Sequence, residues 1–273
     1  MAGSQEMVSL KLLGPADDCI PATARRLSTR KAIAVLGYLA MRGPEAVRRS
    51  DLASLLWGDV PARQARHSLR QSLLQVRAAL APRRDLLTTD REMVRLDVTR
   101  MRVDARSMEW LLKRGTSASV RRACSLYRGE FLSGLRVPEP AFEQWLHNER
   151  ARLTALAWAA FRLRLEELMA TGATDEASAV ALRMMRIDRF SETPRAALLT
   201  ICAERGEFKA ACRHYEAFSR LLLRSFGIHP PMPLQQIFHR CADRCGWGAE
   251  PDNRERRCEP RHPSGDLLRD EHG

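Results

Sequence analysis

The sequence has no run of roughly 18 uninterrupted apolar residues, which excludes an ordinary membrane-spanning helix. Its first stretch, Met1 to Leu13, holds no basic segment leading into an apolar one, so no secretory leader is expected. Glycine-rich phosphate loops, a serine nucleophile elbow and an H-E-x-x-H metal pair are all missing; His147 and Glu149-Arg150 do not make one. These absences leave no recognisable catalytic constellation, so neither an enzyme nor a cofactor is expected. The seven cysteines are odd in number and scattered through helical patterns rather than set in a disulfide framework. Cys124, Cys202 and Cys212 fall on apolar helix faces, as reduced core thiols of a cytoplasmic protein would.

Basic charge is what the chain does have. The net charge is +12 over 273 residues. Between Pro21 and Arg84 stand thirteen Lys or Arg residues against three acids, Glu45, Asp51 and Asp59, so nearly the whole excess sits in under a quarter of the length. A localised excess of this kind is the electrostatic footprint of a nucleic-acid binder. Hydrophobic residues make up 45%, enough for buried cores, and the length suits two domains and a tail.

Along the chain the hydrophobic period changes. Val8 to Leu13 alternates like a strand and ends at Gly14-Pro15, and a second extended stretch is expected between Cys19 and Leu27. Ser28 then caps a helix whose Ala32, Val35, Leu36 and Leu39 share a face, stopped by Gly43-Pro44. A short helix follows from Ser50 to Trp57-Gly58, and a third runs from Pro61, as first helical residue, to Leu80. Leu86–Thr89 and Met93–Leu96 read as a hairpin around Asp90-Arg91-Glu92. Three helices and a hairpin after leading strands make a winged helix-turn-helix.

From Val103 onward only helical patterns remain: 105–114, 118–126, 139–171, 174–187, 193–205, 208–226 and 234–245. Gly172 and Gly206 lie 34 residues apart, each followed five positions later by an alanine (Ala177, Ala211) and further on by a proline (Pro194, Pro230). That is tetratricopeptide spacing, in which helix pairs bury their faces against neighbouring pairs. The fold expected is therefore mainly α: a flexible start (1–7), an α+β winged helix (8–98), an all-α tetratricopeptide-like domain (103–245) and a disordered polar tail (246–273).

The third helix carries the chemistry of a reading surface. With Leu69 at zero and about 100° per residue, Ala65, Leu69, Leu73, Val76 and Leu80 form one stripe to be buried. Arg63, Arg66, Arg70 and Arg77 form a ridge beside it, and His67 and Gln71 lie farther round. Arginine offers a two-pronged donor to guanine and charge to phosphate, and glutamine pairs with adenine. An ordinary solvated face mixes signs, whereas no acid stands between Arg63 and Arg84. Arg91 at the hairpin tip and Arg95 on its return strand fit either a minor-groove contact or a plain surface hairpin.

These pieces resemble the Streptomyces antibiotic regulatory proteins, which join an OmpR-type winged helix to a bacterial transcriptional activation domain. The likeness covers residues 8–240 and rests on Leu27–Ala32, Leu52-Ala-Ser-Leu-Leu-Trp-Gly-Asp59, Ala65–Leu73, Val103-Asp104, the distinctive Leu126-Tyr-Arg-Gly-Glu-Phe-Leu-Ser-Gly-Leu135, Phe142–Leu146 and Glu149-Arg150. The resemblance implies an activator that binds direct repeats of double-stranded DNA near promoters as side-by-side protomers and recruits RNA polymerase. It also implies that the turn Trp57-Gly-Asp-Val60 meets the polymerase, through Trp57 and Asp59, although the Trp57 ring fits a core anchor equally well. The hairpin tip departs from the family: Glu92-Met93-Val94 stand where glycine and an aromatic residue are common. No receiver domain and no nucleotide-binding module is visible.

Two further readings remain. Cys241, Cys245, Cys258 and His262 have gaps compatible with a zinc site, but x3 spacings and the polar surroundings of Cys258 favour no metal. A tetratricopeptide-type adaptor, its basic domain binding protein or anions without sequence preference, is the alternative to a DNA reader.

Overall fold

The computed structural model describes residues 7–20 and 27–247, and the packing divides the chain into two units, Met1–Pro194 and Arg195–Gly273. In the first unit, strand β1 (Ser9–Leu10) leads to helix α1 (Arg30–Arg42), strand β2 (Val47–Arg48), and helices α2 (Arg49–Leu56) and α3 (Ala62–Ala79). Strands β3 (Leu87–Thr89), β4 (Met93–Leu96) and β5 (Arg102–Val103) follow. The rest of this unit is helical: α4 (Asp104–Arg114), α5 (Ser117–Leu126), α6 (Pro140–Ala170) and α7 (Thr174–Ile187). Helix α8 (Thr193–Glu204) crosses the division, and α9 (Phe208–Phe226) and α10 (Met232–Cys245) belong to the second unit. The expected class, mainly helical with a winged helix-turn-helix first, is the one observed.

Local chemistry accounts for the boundaries. The side chain of Thr29, not of Ser28, caps α1 by accepting from the Ala32 amide at 3.2 Å; the Ser28 hydroxyl donates instead to Gln75 at 3.0 Å. Pro61 sits one position before α3, as its N-cap, with its carbonyl accepting from Gln64 and Ala65. The stripe Ala65, Leu69, Leu73, Val76 and Leu80 is buried throughout. Most of the extended stretch expected between Cys19 and Leu27, and nearly all of the tail, lie outside the described residues.

The three-stranded sheet has the order β2-β4-β3, antiparallel, with Val47 opposite Val94 and Thr89 opposite the same residue from the other side. β1 does not join it. It pairs in parallel with β5, Leu10 beside Val103, and the chain after it bridges Leu13 to Phe131. The carboxylate of Asp104 fastens this arrangement, accepting from the amides of Leu12 (2.7 Å), Leu13 (3.0 Å) and Ala105 (2.8 Å). Packing is therefore continuous across the expected boundary at 98–103.

The repeat expectation has a physical counterpart. Gly172 and Gly206 take φ of +69° and +71°, a left-handed conformation that glycine adopts without strain. Each ends a helix with the same pair of bonds: Gly172 to Met169 and Ala173 to Leu168, Gly206 to Ala203 and Glu207 to Cys202. Ala177 and Ala211, the alanines that follow, are fully buried. The small side chain of Ala177 suits the close packing of α7 on α6.

Candidate nucleic-acid interface

Burying the apolar stripe of α3 forces its polar face outward. Arg63, Arg66, His67, Arg70 and Gln71 are all exposed. Arg66 donates through Nε to the Ala62 carbonyl at 3.2 Å and stays exposed on the first turns of the helix. Arg70, one turn on, has no hydrogen-bond or ion-pair partner among the described residues.

Arg77 behaves differently. It is half-buried, and its Nη2 donates to the Leu87 carbonyl at 3.2 Å and to Thr89 Oγ1 at 3.0 Å. The last arginine of the ridge thus ties α3 to the wing instead of standing free. A helical wheel gives its angle correctly and cannot show that β3 lies within its reach.

The wing closes without the glycine and aromatic residue common in similar proteins. Asp90 Oδ1 accepts from the amides of Glu92 (2.8 Å) and Met93 (2.7 Å), and the Asp90 amide donates to the Met93 carbonyl at 3.1 Å. An aspartate turn of this kind satisfies its own backbone. The two amides, first Met93 and then Glu92, hold the Asp90 carboxyl below its usual range, with Arg49 adding to the effect. Arg91 projects from the tip, and Arg95 points outward on β4 between the buried Val94 and Leu96.

Between α3 and the wing lies an open cleft of about 1120 Å³, lined by Arg48, Arg49, Arg66, Arg70 and Arg91 with Ser50, Thr89, Asp90 and Glu92. Three of the sequence-selected residues thus come together: Arg66, Arg70 and Arg91. Arg63, His67, Gln71 and Arg95 are exposed but outside this cleft. Arg48 and Arg49 were not singled out in the sequence, where they merely precede a helix read as starting at Ser50. The Arg49 amide donates to the Glu92 carbonyl at 2.7 Å and its guanidinium to the Asp90 carbonyl at 3.4 Å, which brings this pair beside the wing. Five guanidiniums face two carboxylates, one of which the turn already occupies. Such a surface attracts anions, phosphates among them.

The turn after α2 divides into two parts. The Trp57 ring is buried, 7% exposed, with the Lys31 ammonium 5.0 Å from its centroid, so it is a core anchor and has no free face to offer a partner. Asp59 is exposed. Gly58 between them donates to the Glu139 carboxylate at 3.2 Å, and Lys31 donates to the other oxygen at 2.7 Å.

Among the described residues no cluster of three His, Cys, Asp or Glu is placed to hold a metal. Cys241 is buried and Cys245 half-buried; Cys258 and His262 lie outside the described residues. No described helix is long and apolar enough to cross a membrane.

The family model of the bacterial transcriptional activator domain matches residues 96–241. Among solved structures, the chain is similar to Mycobacterium tuberculosis EmbR in complex with a low-affinity phosphopeptide, with a TM-score of 0.57 and 21% identity. The match covers 87% of this chain and 65% of that one, so the chain spans under two thirds of the length of the protein it resembles. No curated protein matches the sequence.

Proposed function

This chain belongs to the bacterial transcriptional activator domain family and is a transcriptional regulator of that type, and from that premise we propose that it reads DNA sequence through α3 and its wing. In this reading α3 enters the major groove of double-stranded DNA, and Arg63, Arg66, His67, Arg70 and Gln71 face base edges and phosphates. Arg48 and Arg49 grip the backbone on one side, while Arg91 and Arg95 reach the neighbouring minor groove. Arg77 acts through the wing it holds. The observation that carries the proposal is the cleft of five arginines between recognition helix and wing.

Activation follows if protomers sit side by side on direct repeats near promoters and recruit RNA polymerase. Asp59, the exposed acid of the turn after α2, is the residue we assign to the polymerase contact. The protein would then work in the cytoplasm, associated with the nucleoid when bound to DNA.

Selection of bound sequences from a random duplex pool, with the full chain at near-physiological salt, tests this. Recovery of a tandem repeat spaced by about one helical turn is the expected result. Failure to enrich any motif, with binding that disappears as salt rises, would transfer the assignment to an adaptor with an unspecific basic surface.

A further inference from the structure

A second, smaller cavity lies within the helical part of the first unit. It has a volume of about 230 Å³ and is walled by the segment from Tyr127 to Glu130 together with Thr154 and Phe161 of α6 and Arg183, Arg186 and Ile187 of α7. Its inner end is aromatic. Phe161 is fully buried, Tyr127 meets it edge-on at 6.2 Å, and the Tyr127 hydroxyl lies 3.4 Å from that of Thr154.

The charge of this cavity is unbalanced. Arg183 is half-buried, donates to the carbonyls of Cys124 (3.0 Å) and Tyr127 (2.7 Å), and lies 4.7 Å from the Phe161 ring centroid. Arg186 stands almost one turn further along α7 and lines the same space. Neither guanidinium is paired with a carboxylate among the described residues. The cavity's one acid, Glu130, is already engaged with Arg150 at 3.4 Å, and Arg128, at the rim, with Asp104 at 3.3 Å. The half-buried Arg183 guanidinium, without a counter-ion, favours an anion beside it, and with the exposed Arg186 it offers donors to both oxygens of a carboxylate.

We propose that this cavity is a binding site for a small organic carboxylate with a compact planar or branched body. Arg183 and Arg186 hold the carboxylate, and the body lies against Tyr127 and Ile187. At about 230 Å³ the cavity is smaller than the roughly 300–1,000 Å³ of drug-sized ligand sites, which suits a compact ligand of this kind. The wall of the cavity continues into Phe131 and Leu132, which pack against Gly37 of α1, so an occupant would press on a segment seated against the winged helix. An effector role of this kind rests on the DNA-binding reading; ligand binding itself does not.

The test is calorimetric titration of the full chain, without DNA, with sodium benzoate, sodium phosphate and benzyl alcohol at constant ionic strength. Saturable binding of one benzoate per chain, at least about tenfold tighter than phosphate and absent for benzyl alcohol, is expected from a charge-assisted bidentate site. Arg186→Gln removes an exposed guanidinium that no fold contact uses; it should weaken benzoate roughly tenfold or more while the thermal midpoint stays unchanged. Arg122→Gln, the same loss of charge elsewhere on the helical surface, should leave benzoate binding as it was. No saturable heat with benzoate, phosphate bound as tightly as benzoate, or equal loss in the two variants would each overturn the site. A failed duplex selection alongside saturable benzoate binding would sink only the DNA reading.

Discussion

Lys31 on α1 and Glu139 at the start of α6 meet at 2.7 Å, with 26% and 8% of their side chains exposed. The second oxygen of Glu139 accepts from the Gly58 amide at 3.2 Å, so one carboxylate joins both the first helix and the turn before α3 to the helical part of the chain. Beside it, Tyr38 of α1 packs edge-on against Trp145 of α6 at 4.9 Å. Helix α1 and the turn that leads into α3 are thus held by the helical part of the chain as well as by their own neighbours.

Glu139→Ala should therefore destabilise the first unit by about 2–4 kcal/mol, because it strands a part-buried ammonium and a backbone amide together. Glu139→Gln keeps an acceptor for Gly58 and should cost roughly half as much. Urea unfolding of the three proteins checks this. Equal stability of Glu139→Ala and the parent would remove the carboxylate as the joint.

The arginines of α3 should separate into two kinds. Arg66→Ala and Arg70→Ala should lose about 1–3 kcal/mol of affinity for the selected site with the thermal midpoint unchanged, as exposed residues that read DNA would. Arg77→Ala should instead lower stability by about 1 kcal/mol, having lost its bonds to Leu87 and Thr89, and should weaken binding only through the wing. Fluorescence anisotropy on a labelled duplex, paired with thermal melts, resolves the two effects. A larger direct loss for Arg77 than for Arg70 would reverse their roles.

This division shows where sequence patterns stop. The buried stripe of α3, the helices that follow Gly172 and Gly206, and the two strands of the hairpin all depend on local periodicity or on a turn residue, and they were legible. The cleft was half legible: Arg66, Arg70 and Arg91 stood out by angle and position, whereas Arg48 and Arg49 became visible only once the wing lay beside them. Asp104 and Glu139 were not read as anchors at all, because their partners are 92 and 108 residues away. Nothing local marks β1 as the partner of β5 either. A two-residue parallel pairing across most of a domain has no signature in composition.

Acid should loosen the wing only below the ordinary carboxylate range. Asp90 titrates below the usual carboxylate range in the folded chain, so its contribution is fully present above the unfolded value of 3.8 and is lost as pH falls through the lowered one. Amide exchange at Glu92 and Met93 should rise over that interval in the parent. Asp90→Ala should show the loosened wing already at neutral pH, and Asp90→Asn should retain much of the turn. Unchanged exchange in the alanine variant would show that the wing is held by its strands alone.

The core thiols should resist alkylation. Burial pushes Cys19 and Cys124 up to about 11, and burial with Cys245 as neighbour pushes Cys212 to about 12. At pH 8 the thiolate fraction at these positions is on the order of one part in a thousand or less, and the thiolate is the nucleophile. Iodoacetamide followed by peptide mapping should find all three unmodified in the native chain and modified after denaturation. Rapid native labelling of Cys124 would show that α5 opens readily from α6.

The winged helix should not fold alone. A fragment ending at residue 98 deprives β1 of Arg102 and Val103, and removes Asp104 from the amides of Leu12 and Leu13. It also uncovers Gly37 where Phe131 and Leu132 pack. Leu10, Leu12 and Leu13 are fully buried in the intact chain, and exposing each forfeits about 1.5–3 kcal/mol, together comparable to the whole stability of a small domain. Residues 1–192, which keep these partners, should melt cooperatively, whereas residues 1–98 should show no cooperative transition by circular dichroism. A cooperative melt of the shorter fragment would mean that α1, α2, α3 and the wing hold together without the helical part, and that Glu139 and Asp104 only orient a domain already formed.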